Sequence, residues 1–152
     1  MKWYALPMVI SPSENHIRAW ARLVKASQRV LGAIEADLKA AGFPPLGWYD
    51  VLLELKRSDD GRLRPLEIEG RLLIAQHNVS RLIDRLEKGG YVAREPCEED
   101  GRGQVVAITE DGRDLLNRMW PVYRAAIQKH VAAKLDDDEA ASLADLLARL
   151  MA

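Results

Sequence analysis

The residue types best suited to specific chemistry in this 152-residue chain lie in one short run: Gln76, His77, Asn78, Ser80 and Arg81. Gln and Asn can pair with the hydrogen-bonding edge of adenine, Arg with that of guanine, and Ser with either. Further on, Asp100 and Arg102 sit in a polar, glycine-containing stretch, PCEEDGRG. An arginine on an exposed hairpin tip can enter a narrow minor groove, where negative potential is concentrated, and an acid close by can orient it. Both clusters suit contact with double-stranded DNA. Other chemistries lack their residues. His16, His77 and His130 are far apart and form no metal motif with Cys97. There is no nucleophile motif, no glycine-rich phosphate loop and no carboxylate pair in a meaningful context. No metal, no cofactor and no enzymatic activity is expected.

The run from Gln76 to Lys88 has helical periodicity. With Gln76 at zero and about 100° per residue, Val79, Leu82, Ile83 and Leu86 cluster at roughly 240–340°. Gln76, His77, Ser80, Arg81 and Asp84 cluster at roughly 0–140°. One face can seat on a core while the other presents base-reading side chains, and the helix N-terminus also favours phosphate. Ala75 stands where a Ser or Thr cap would be expected, so this helix start is expected to lack a side-chain cap. Gly89-Gly90 stops the helix. Tyr91–Glu95 and Gln104–Ile108 then read as the two strands of a β-hairpin around the polar tip.

Upstream, Ser13-Glu14 opens a long helix. Ile17, Val24, Leu31 and Leu38 repeat at heptad spacing, with Trp20, Ser27, Ile34 and Ala41 at the complementary positions. Gly42 and Pro44-Pro45 end it. A second helix is expected over 46–57, with Trp48, Val51, Leu52 and Leu55 on its buried side. SDDG makes a turn, and a short third helix follows Pro65, carrying Leu66, Leu72 and Leu73. Downstream, Thr109 caps a fifth helix reaching about Lys134, with a kink expected at Pro121. Asp136 and Glu139 form a capping box for a last helix carrying Leu143, Leu146, Leu147 and Leu150. The fold class is therefore mainly α with a small β-hairpin wing. Residues 1–44 are expected to form an N-terminal arm and dimerisation helix, 45–112 a winged helix-turn-helix DNA-binding lobe, and 113–152 C-terminal dimerisation helices.

The charge distribution agrees. Net charge is only −1, whereas a small non-specific DNA coat protein would be strongly basic. Residues 62–94 nevertheless hold seven Lys or Arg against four acids, and residues 135–152 hold five acids against one Arg. The single cysteine, Cys97, excludes an internal disulfide and fits a reducing cytoplasm. Beside three acids on the wing it reads as an exposed thiol without a lowered pKa. No apolar run is long enough to cross a membrane. The N-terminal MKWYALPMVISP makes a poor signal peptide and reads as an extended arm packed on the body or on a partner subunit.

The stretch NVSRLIDRLEKGGYVAREPCEEDGRGQVVAITEDG resembles the MarR family of winged helix-turn-helix regulators. Arg81, Asp84, Arg85, Gly90, Asp100, Arg102, Thr109 and Gly112 sit where that family's pattern places them. PLEIEGRLLIAQHN looks like the family's helix-turn-helix entry, and the flanking helices look like its intertwined dimerisation region. The resemblance implies a homodimer on a pseudo-palindromic operator. It also implies relief from DNA by a small aromatic or phenolic effector. Trp20, Trp48, Tyr49 and Tyr123 are candidate cavity residues, with His16 or Arg18 as polar anchors; ordinary core packing is the alternative for the aromatics. The sequence thus reads as that of a ligand-responsive repressor. A winged-helix protein-interaction module without DNA binding is the second reading, drawn from the acidic wing and the missing cap.

Overall fold

The computed structural model describes residues 10–97 and 103–152. Helix α1 spans Glu14–Ala40, and Ser13 caps it by accepting from the His16 N–H while the His16 ring accepts from the Ser13 N–H. Gly42 takes a positive φ of 80°, which lets the chain turn out of the helix, and the Phe43 N–H bonds back to the Leu38 carbonyl. Helix α2 spans Leu46–Arg57. Its Pro45 cap offers no side-chain acceptor, and Glu35 of α1 supplies one, accepting from the Leu46 N–H at 3.0 Å.

Strand β1 (Arg62–Leu63), helix α3 (Pro65–Arg71), helix α4 (Val79–Lys88), strand β2 (Val92–Pro96) and strand β3 (Gln104–Ile108) follow. The hairpin pairs antiparallel from Val92 opposite Ile108 to Pro96 opposite Gln104. β1 was not expected. It pairs with the free edge of β3, giving the order β1-β3-β2, and a two-residue strand leaves no periodicity to detect. The apolar face of α3 also differs from expectation: Ile68 is fully buried, whereas Leu66 and Leu73 face outward.

Thr109 caps helix α5 (Glu110–Ile127) as expected, accepting from the Gly112 N–H and donating to the Gly90 carbonyl. Any Cβ on Gly112 would collide with the Tyr91 carbonyl and crowd Leu52, so only glycine lets this helix start lie against the hairpin. The α-helical pattern runs through Pro121 and changes further on, in a π-helical turn over Gln128–Ala132. His130 of that turn is bonded to Asp37 of α1, Nε2 to Oδ2, at 2.8 Å. The expected box of Asp136 and Glu139 then opens helix α6 (Asp137–Leu150).

The core lies in the central lobe. Ile34 and Leu38 from the end of α1 meet Val51, Leu52 and Leu55 of α2, Ile68, Ile83, Leu86, Val92, Val106, Leu115 and Met119. The first half of α1 and the whole of α6 contribute nothing to it: Ile17 is 56% exposed, Trp20 67% and Leu146 54%.

Candidate nucleic-acid interface

Helix α4 presents the division the periodicity required. Val79, Leu82, Ile83 and Leu86 are buried against the lobe, and Ser80, Arg81, Asp84 and Arg85 are exposed. The helix starts three residues later than expected, and this corrects the reading of its cap. Asn78 is the N-cap, its Oδ1 accepting from the Arg81 N–H at 3.0 Å. A run that is helical by pattern starts where a side chain first satisfies an orphan amide, and Asn does this well. Gln76, His77 and Asn78 therefore precede the helix. Gln76 is half-buried, with its amide packed over Gly47 of α2, where a Cβ would clash with it. His77 is exposed beside it. Among the described residues no ion pair engages the Arg81 guanidinium, so it is available to a ligand. Asn78→Ala is expected to cost about 1 kcal/mol of stability through loss of the cap. A denaturant midpoint equal to that of the wild type would show that the cap contributes nothing.

The wing is clamped to this helix. Arg94 of β2 pairs with Asp84 at 2.7 Å and with Glu87 at 3.0 Å, and its backbone N–H donates to the same Glu87 carboxylate. Burial works against the Arg94 charge, but hydrogen bonds and charge attraction from Asp84 and Glu87 outweigh it and raise its pKa. Asp84, expected on the reading face, is thus committed to positioning the wing. Arg62 of β1 reaches across β3 to Glu95 of β2 at 2.7 Å. Asp100 and Arg102, the wing-tip candidates, lie outside the described residues. Cys97 departs from expectation: it is buried, with its Sγ 3.1 Å from the Arg64 guanidinium.

A cavity of about 710 Å³ lies between α2, α5 and the end of α3. Of the six candidate effector residues it contains two, Tyr49 and Tyr123. Tyr123 meets Tyr49 edge-on, and Trp120 stacks beside Tyr49. His16, Arg18 and Trp20 lie instead on the exposed first half of α1, where His16 belongs to the cap and Arg18 bonds Asn15. Trp48 faces Tyr91, away from the cavity lining. Trp120, Arg57 and Arg71 line the cavity without having been anticipated; Trp120 falls one turn before Tyr123 on the same helix, a spacing that could have revealed it.

Burial raises the Tyr49 phenol, with Arg57 acting weakly in the opposite sense. Burial also raises Tyr123, aided by Asp50, Tyr49 and Glu35. A folded pKa above the unfolded value of 10.0 means that the native state holds its proton longer. The associated stability is full below that value and is lost as pH rises through the folded pKa. Absorbance titration should show phenols ionising late in the wild type and one fewer of them in Tyr123→Phe. Ionisation of every phenol in one step near the free value would contradict the buried geometry.

A short helix, a turn and an outward-reading helix, followed by a paired wing, define a winged helix-turn-helix protein. Residues 41–103 match the MarR family. The uncharacterised regulator YkoM of Bacillus subtilis is 27% identical over 136 residues, covering 87% of this chain and 86% of that protein. Sco3205, a MarR family regulator of Streptomyces coelicolor solved in complex with DNA, superposes with a TM-score of 0.84 at 25% identity, covering 96% of this chain and 91% of that one. BpsR of Bordetella bronchiseptica, solved in work on regulation of its DNA binding by 6-hydroxynicotinic acid, superposes with a TM-score of 0.74 at 23% identity, covering 95% and 97%. Over its helix-turn-helix and wing the chain resembles the MarR family of transcriptional regulators, and along nearly its whole length it shares the fold of MarR-family structures.

Proposed function

We propose that this regulator is a ligand-responsive repressor that binds a pseudo-palindromic operator as a homodimer. The observation that carries the reading is α4: a capped helix whose apolar face is buried and whose Ser80–Arg81 face is open to a groove. In a two-fold dimer, two such helices enter successive major grooves about 34 Å apart. Ser80 and Arg81 read bases, His77 and Asn78 lie at the edge of the groove, and Arg102 and Asp100 are the candidates for the minor groove. The exposed apolar residues of α1 and α6 support a dimer built from the two ends of the chain.

The cavity supports an effector of the aromatic-acid class. Tyr49, Trp120 and Tyr123 offer ring faces and edges, and Arg57 and Arg71 stand at its wall. BpsR, regulated by 6-hydroxynicotinic acid, provides the parallel. A ligand that binds the two arrangements of the DNA-reading lobes unequally shifts their spacing and releases the operator.

Fluorescence anisotropy on the chain's own upstream intergenic DNA, against random DNA at two salt concentrations, tests the reading. Preference for the intergenic fragment, weakening steeply with salt, is expected. Absence of DNA binding even at low salt would leave the interaction-module reading in its place. Asn78 supplies the cap whose apparent absence was one of the two features behind that second reading.

A further inference from the structure

Asp50 is a buried acid that none of the DNA-reading or wing contacts uses. It is 5% exposed, set in α2 between Tyr49 and Val51, and among the described residues it is the one buried charged side chain. A carboxylate in such a place is costly unless its oxygens are hydrogen-bonded. Its Oδ2 accepts from the backbone N–H of Ile74 at 3.0 Å. Ile74 lies in the connection between α3 and α4, which has no regular backbone ladder of its own, and α4 begins shortly after it at Val79. The same Asp50 lines the cavity with Tyr49, Trp120 and Tyr123, and Leu73, next to Ile74, lines it too.

We propose that Asp50 is a positioning residue that fixes the turn of the helix-turn-helix to the cavity wall. Through it, the state of the cavity sets the position of the recognition helix. The inference rests on α4 as the reading helix and on the cavity as the effector site. Without the carboxylate, the Ile74 N–H loses its acceptor, and the segment leading into α4 is free to move away from α2. An acidic ligand entering the cavity would meet the Asp50 charge and bias the same bond. The link therefore works in both directions, as binding equilibria require.

Amide hydrogen exchange on the full-length protein without DNA tests this, together with affinity for intergenic duplex. Asp50→Leu fills the space and suits a helix but accepts no hydrogen bond; Asp50→Ala is a second variant without an acceptor, a true truncation, in case the first does not fold. Asp50→Asn keeps a carbonyl oxygen able to accept from Ile74. Exchange at Ile74 and the first turn of α4 should rise about tenfold or more in the truncations, the size of one lost hydrogen bond to a charged group. Amides of α5 should be unchanged, and DNA affinity should fall with the loss of protection. Asp50→Asn should restore protection to within about threefold, the scatter of a neutral substitution. Continued protection of Ile74 in a folded truncation overturns the proposal. So does an Asp50→Asn variant that exchanges as fast as Asp50→Leu, because the bond would then not be the cause. A wild type that binds no DNA would sink the repressor reading while leaving the exchange result to decide the role of Asp50.

Discussion

Arg81→Ala should weaken binding to the specific operator by roughly 5- to 150-fold, the range set by about 1–3 kcal/mol for one good base contact. Adding Arg102→Ala should multiply the loss, because the two side chains would act in different grooves. Arg81 is the stronger choice because it is exposed on the first turn of α4 and no ion pair among the described residues competes for its guanidinium. Its removal should leave folding stability within about 0.5 kcal/mol, as for a surface substitution, so lost affinity would not reflect lost structure. The pattern of the loss separates two roles. A base-reading arginine lowers affinity for the operator and relaxes preference at one base pair. A phosphate-contacting arginine lowers affinity for every sequence alike and reduces the salt slope by about one. Anisotropy titrations over a salt series on operator and random duplex distinguish them. Unchanged operator affinity in the double variant would remove both contacts from the interface.

The sequence disclosed the elements whose signals are periodic or local. The apolar face of α4 and the caps at Thr109 and Asp136 follow from rules a few residues long, and the structure has them. The helix-turn-helix and wing order followed from the same signals. What stayed hidden depends on contacts between segments distant in the chain. Asp50 and Ile74 are 24 residues apart, and Arg62 and Glu95 33 apart, so neither pairing leaves a spacing to read. The cap of α4 was misplaced because helical periodicity extends back through Gln76 and His77, whereas Asn78 is where a side chain satisfies the first amides. Cys97 was misjudged because the acids beside it in sequence were taken as its surroundings, whereas Arg64, 33 positions away, meets its thiol. Among the residues proposed for an effector site, Tyr49 and Tyr123 line the cavity because they fall on the inward helix faces. His16, Arg18 and Trp20 were not brought there, because the first half of α1 extends past the lobe.

That extension underlies the second large effect. Leu143, Leu146 and Leu150 of α6 are exposed and fall on one stripe at helical spacing, and Ile17 and Trp20 repeat the pattern on α1. A helix of 14 residues with nothing buried is marginal by itself in water. Its stability must come from packing this stripe, and each leucine covered would contribute about 1.5–3 kcal/mol. In a two-fold interface every substitution occurs twice, so Leu146→Glu with Ile17→Glu would place four carboxylates in the apolar contact. The double variant should run as a monomer in sedimentation at micromolar concentration, where the wild type is expected to run as a dimer. Its operator affinity should fall by about 10²–10⁴-fold, since the second half-site is then no longer held at high effective concentration. The core lobe does not include either residue, so a monomer with a native near-ultraviolet spectrum is the expected product. A wild type that is monomeric at these concentrations, or a double variant that remains a dimer, would show that the stripe is covered by something other than a second copy of the chain.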